Sequence, residues 1–245
     1  MKKIVRSGLI AALLLTGVTA AQAQISFGPK VGLNLANISS KYEGDADIDD
    51  PDTNIKMGAS FGVMLNARFG NLAIQPALTY SMKGAKQDEE ETSTIGGVSY
   101  TTKYKSSVAM DYLDVPINLV YTTGGDNGFQ VFVGPYVAFG IGGKVKGETE
   151  TTGGGQTIKN DFDGDVKFKG DVKESDDSED IGAFAKPLDF GINAGVGYLV
   201  NNFQIQAGYG LGLANFESKY EGKESDWNSS HRVIHISFAY LFGGE

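Results

Sequence analysis

Phe129-Gln130-Val131-Phe132-Val133-Gly134-Pro135-Tyr136-Val137-Ala138-Phe139-Gly140-Ile141 decides the fold class. Phe129, Val131, Val133, Pro135, Val137, Phe139 and Ile141 form one row, and Gln130, Gly134, Tyr136, Ala138 and Gly140 the other. A period of two is the repeat of a β-strand, whose side chains alternate between faces. The stretch exceeds the roughly 9–11 residues that a tilted strand needs to cross a bilayer. Its second row is as informative as its first. A solvated outer face would carry many Lys, Glu and Thr residues, whereas small and uncharged side chains suit the crowded interior of a narrow barrel.

The same alternation recurs in 27–35, 57–69, 72–83, 108–121, 188–199, 203–214 and 232–242. With 129–141 this makes eight candidate strands. Their connections alternate in length. Gly70-Asn71, 122–128 and 200–202 are short, while 37–55, 84–106, 143–186 and 215–230 are long, polar and rich in Gly, Asp and Ser. Short turns on one side and long loops on the other is the bacterial transmembrane pattern. The sequence therefore predicts an all-β chain: a transmembrane antiparallel up-and-down barrel of about eight strands with four long surface loops. Aromatics near the strand ends fit the interfacial girdles of such barrels: Phe69, Tyr80, Tyr121, Phe129, Tyr198, Phe203, Tyr240 and Phe242. Two rival architectures remain at this stage. One is a soluble ligand-binding barrel. The other is a wider channel of ten strands, with hairpins hidden in 84–106 or 143–186.

The ends and the composition set the compartment. Lys2, Lys3 and Arg6 precede a short apolar run, and Ala21-Gln22-Ala23 fits a small-x-small cleavage site. Residues 1–23 are expected to be a signal peptide removed near Ala23, leaving 24–245 as one outer-membrane barrel domain. With no cysteine there is neither a disulfide framework nor a lipid-modified cysteine. The formal net charge is −9, and removal of the basic leader makes the remainder more acidic still. This argues against nucleic acid as a partner. Prolines 29, 76, 116 and 135 fall inside predicted strands. Each removes a ladder donor, so bulges or protruding strand ends are expected to absorb them.

Few residues suggest chemistry. Lys30, Arg68, Lys83, Asp114, Asp189 and His235 all have inward parity. A charge inside a narrow barrel is costly unless paired, so an internal ion-pair network plugging the lumen is expected. Asp161, Asp163 and Asp165 form a weak calcium candidate, but Gly164 comes too early and Val172 stands where a bidentate Glu is needed. A solvated acidic loop is the plainer reading, and no metal or cofactor is expected. His231 and His235 share strand parity about 13 Å apart, too far to share a metal unaided. No Ser-His-Asp order, phosphate loop or cysteine cluster supports catalysis.

Four strings give a resemblance. Tyr112-Leu113-Asp114-Val115-Pro116-Ile117 resembles the Tyr-Leu-acidic-aliphatic-Pro motif of the PorT-like outer-membrane barrels, often labelled porin family proteins. Gly134-Pro135-Tyr136, Leu188-Asp189-Phe190-Gly191 and the opening Gly28-Pro29-Lys30-Val31-Gly32-Leu33-Asn34 resemble further elements of that family. The resemblance implies a monomeric barrel in outer-membrane lipid, inserted by the barrel-assembly machinery. It implies little about activity, although the founding member is associated with protein secretion. The chain departs from many such barrels by ending Phe242-Gly243-Gly244-Glu245 rather than on the aromatic. The expectation is a non-enzymatic barrel whose acidic loops bind an unknown surface ligand or shield the cell. A small porin and an accessory barrel in secretion are the alternatives.

Overall fold

The computed structural model describes residues 24–46, 48–124, 127–176 and 181–243. The expected leader lies outside them. In chain order the strands are β1 (Gln24–Tyr42), β2 (Asn54–Phe69), β3 (Leu72–Ile95), β4 (Val98–Thr122), β5 (Asn127–Gly153), β6 (Gln156–Phe168), β7 (Asp171–Val172), β8 (Ile181–Ala185), β9 (Leu188–Val200), β10 (Phe203–Gly212), β11 (Lys219–Tyr220), β12 (Trp227–Tyr240) and β13 (Phe242–Gly243). Eight of them close a ring in the order β1-β2-β3-β4-β5-β9-β10-β12, with β12 pairing back onto β1. Every pairing around it is antiparallel. No barrel edge is left to meet lipid, which cannot hydrogen-bond it. The C-terminal β13 continues β12 along β1, setting Phe242 opposite Phe27.

Parity settles which face is which. Val31, Val63, Ile117, Val133, Ile192, Ile205 and Phe238 are each between 43% and 59% exposed. On the other row, Asn118, Gln130, Gln204 and Ser237 are at most 4% exposed. A soluble barrel would bury the first set and expose the second. At the short-turn end, Phe203, Tyr240 and Phe242 join in ring contacts with 4.7 Å between successive centroids. Phe61 and Tyr80 stack at 4.9 Å further along the wall.

Two expectations need correction. The connection 84–106 is not a loop: β3 and β4 stay paired from Leu72↔Tyr121 to Ile95↔Val98 and turn at Gly96-Gly97. Likewise β5 runs on to Gly153, turns at Gly154-Gly155 and returns as β6. These hairpins exist, yet they add no strand to the ring, because β4 pairs directly with β5 and β5 with β9. They project beyond the barrel as a sheet. Its outward rows carry opposed charges such as Lys103 with Glu90 and Lys159 with Glu150, and such cross-strand pairs support regular strands.

The prolines are the second correction. Pairing continues through Pro29↔Val63 and Pro135↔Ile192. It resumes in unchanged register on either side of Pro76 and Pro116. The irregularities fall elsewhere, between Ile55 and Ser60 of β2, and at Ile141, the extra residue between Asp111↔Gly142 and Tyr112↔Gly140. Each proline therefore costs a donor locally without shifting the strand.

Candidate functional site: the filled lumen

The inward row of β3 places Lys83 deep in the lumen, 4% exposed. Its ammonium lies 3.1 Å from Asp114 Oδ1 and 3.0 Å from Asp189 Oδ2. These carboxylates come from β4 and β9, the two strands on either side of β5 in the ring. The same ammonium sits 4.8 Å from the Tyr112 ring centroid and 4.6 Å from that of Tyr136. The Tyr136 hydroxyl donates to Asp189 Oδ2 at 3.3 Å. One cation thus faces two carboxylates and two aromatic faces, the surroundings that compensate a charge taken out of water.

Two further layers reach across the barrel. On one side of the cluster, Tyr112 Oη and His231 Nε2 are 3.0 Å apart. They belong to β4 and β12, which stand opposite each other in the ring. Phe216 stacks on His231 at 4.7 Å and Phe168 meets Tyr112 edge-on at 5.3 Å. Nearer the short turns, Gln75 of β3 donates to Asn66 Oδ1 and to Gln204 Oε1 at 3.0 and 2.9 Å. Gln204 lies on β10, again diametrically opposite. Gln206 donates to Gln75 Oε1 at 3.3 Å, and Asn66 to Ser26 at 3.0 Å. Buried amides that satisfy one another in this way form a rigid partition.

Of the six residues read as a lumen network, Lys83, Asp114 and Asp189 meet. Lys30 and His235 line the same polar cavity of about 70 Å³ beside Asn118 and Asn193, but neither forms an ion pair among the described residues. Such a cavity is polar and roomy enough for water. Arg68 stands apart at the short-turn end, where its Nε donates to Gly70 O at 2.8 Å. Parity placed all six inward. Height along the strand separated them.

Tyr112 and Tyr136 entered the sequence reading only within a strand row or a resembling string, and His231 only as a rejected metal ligand; none was placed in the lumen network. The available signal was a large aromatic in a row otherwise of small residues. Asp161, Asp163 and Asp165 prove to lie on β6 and not in a loop. Alternate strand positions do not converge on one ion, and Asp165 is paired with Lys144 at 2.5 Å and Lys167 at 3.4 Å. The Lys144 ammonium, hydrogen-bonded to it, holds the Asp165 carboxyl below the usual carboxylate range. Among the described residues no cluster of His, Asp and Glu is arranged to hold a metal.

A closed eight-strand ring with an apolar exterior and a lumen bridged from wall to wall defines a transmembrane β-barrel. The chain belongs to the family described as the outer membrane protein beta-barrel domain, which matches residues 20–218. Its place is the lipid of the outer membrane. Among solved structures, the attachment invasion locus protein Ail of Yersinia pestis is 14% identical, with 89% of this chain and 99% of that chain covered and a TM-score of 0.33. Neisserial surface protein A is 13% identical over 87% of this chain and 97% of that chain, with a TM-score of 0.31. The toluene transporter TodX of Pseudomonas putida is 8% identical over 88% and 89%, with a TM-score of 0.19. None of the curated proteins compared matches the chain.

Proposed function

We propose that this protein is a non-conducting, non-enzymatic outer-membrane barrel of the PorT-like kind that displays acidic extracellular hairpins for binding. The observation that carries the closed lumen is the Lys83 cluster. Residues of three separate resembling strings, Tyr112 and Asp114, Tyr136, and Asp189, converge around one ammonium. In this reading those strings are the parts of a plug, which gives their order and spacing a physical cause.

The four long connections all leave the same end of the ring, the end that faces outward in bacterial barrels. Closure of β1 on β12 within one chain supports a monomer, and the lipid-facing row supports delivery to the barrel-assembly machinery after cleavage near Ala23. Residues 24–245 then form the single barrel domain. Planar-bilayer recording tests the plug: the refolded barrel is expected to give no steady ion conductance. Stepwise channels from the wild-type chain would establish the small-porin reading instead.

A further inference from the structure

Beyond the Tyr112–His231 layer, on the long-hairpin side, the lumen opens into a second cavity of about 310 Å³. Its character differs from the polar cavity beneath. Ile38, Val108, Met110, Val145, Val166 and Phe216 form its lower walls. Met110 is 3% and Val166 3% exposed, so the apolar lining is built into the packed layer below it. The outer wall comes from β8, which pairs in parallel with β6 and bridges to Glu217 through Ala185. The cavity is therefore walled by β1, β3, β4, β5, β6, β8 and β12, with Pro51, Thr53, Phe216 and Glu217 from the connections.

Most of the polar groups in its lining are neutral, and several are already engaged. Ser40 and Ser229 hydroxyls bond each other at 2.8 Å. The Thr53 hydroxyl donates to Ile38 O at 2.6 Å. The Gln87 amide donates to Glu89 at 2.8 Å. Lys86 is the one cation in the lining among the described residues, and its side chain is exposed at the edge. Glu217 is the one carboxylate in the lining. The lining thus carries one charge of each sign and favours neither an anionic nor a cationic head group. A strongly polar ligand would find few unspent donors. Apolar walls with a few neutral polar groups, at this volume, match the makeup of small-molecule sites.

We infer that this vestibule is a binding site for an uncharged, largely apolar small molecule bearing at most a hydroxyl or two, captured from the outer side and held above the plug. The inference deepens the proposed binding role and uses the plug as the pocket's floor. The physical drive is removal of apolar surface from water on both partners. Entry needs no passage through the barrel.

The test uses the full barrel in lipid nanodiscs, methyl-labelled at Ile, Val and Met, titrated with cyclohexanol as the probe. Saturable shifts are expected at the methyls of Ile38, Val108, Met110 and Val166. Ile117 and Ile234, which face lipid, should move only linearly with bilayer partitioning. Ala85→Leu and Ala183→Leu, which fill the cavity from β3 and β8, should each weaken the saturable response at least tenfold. Shifts that never saturate, that are equal at lipid-facing methyls, or that survive both substitutions unchanged would overturn the site. If one variant fails to reach the native heat-shifted mobility, the other decides. If both fail, the wild-type localisation decides. Conductance reads the plug separately, so an open channel with saturable vestibule shifts would remove the floor's proposed role and leave the pocket.

Discussion

Lys83 and Asp189 are 106 residues apart in the chain and meet at 3.0 Å inside the barrel. Removing the cation leaves two carboxylates buried without it. Lys83→Met is expected to cost about 3–5 kcal/mol of folding stability, as for other broken buried pairs. Combining it with Asp114→Asn and Asp189→Asn should recover part of that loss. Urea unfolding in lipid vesicles measures both. A single substitution without effect would show that the cluster contributes nothing to the stability of the barrel.

Neighbouring positions on β4 test the lipid-facing assignment. Ile117 is 47% exposed on the outer row and Asn118 is 3% exposed on the inner one. Ile117→Lys forces an ammonium into hydrocarbon at about 2–4 kcal/mol near the midplane. Asn118→Lys enters a polar interior, where crowding costs about 1–3 kcal/mol. The expected outcome is a lower unfolding midpoint in vesicles for Ile117→Lys than for Asn118→Lys. The reverse order would turn the strand around.

Gly134 offers a steric test with no charge involved. A Cβ there would stand 2.0 Å from the Ile117 carbonyl oxygen of the adjoining strand. Backbone cannot swing aside as a long side chain can, so Gly134→Ala is expected to lower stability by about 1–3 kcal/mol. Gly142→Ala, where nothing lies within 4 Å, is the control and should be nearly silent. Heat-dependent gel mobility of the refolded barrels reads the difference.

The β5–β6 hairpin carries a pH signature. The folded Asp165 carboxyl is held low by Lys144 and then by Lys167. A depressed folded value means the pairing helps the hairpin above the usual aspartate range and is lost as pH falls through the folded value. Carboxyl NMR should show Asp165 titrating below an ordinary aspartate, and Lys144→Met should raise its midpoint. An unchanged midpoint in that variant would break the assigned pair.

Protease access reports orientation. On intact cells, nicks are expected at the turns Gly96-Gly97 and Gly154-Gly155, where positive φ marks exposed tips. The paired strands beneath them should resist. Cleavage within 122–128 on intact cells would invert the topology.

Period two, turn chemistry and alternating connection lengths are local properties, and they made the eight ring strands and their lipid face legible in the sequence. Parity likewise marked Lys30, Arg68, Lys83, Asp114, Asp189 and His235 as inward, because a strand offers only two faces. Where the strands end was not legible. The polar composition of 84–106 and 143–168 reads as loop, yet opposed charges across adjacent strands keep it regular. The prolines misled in the other direction, since neighbouring strands hold the register through them. Only the tertiary structure decided that Lys83 meets two carboxylates while Lys30 pairs with none among the described residues and Arg68 sits at the far end. Which inward side chains meet depends on ring order, stagger and height, and these exist only once β12 has closed on β1.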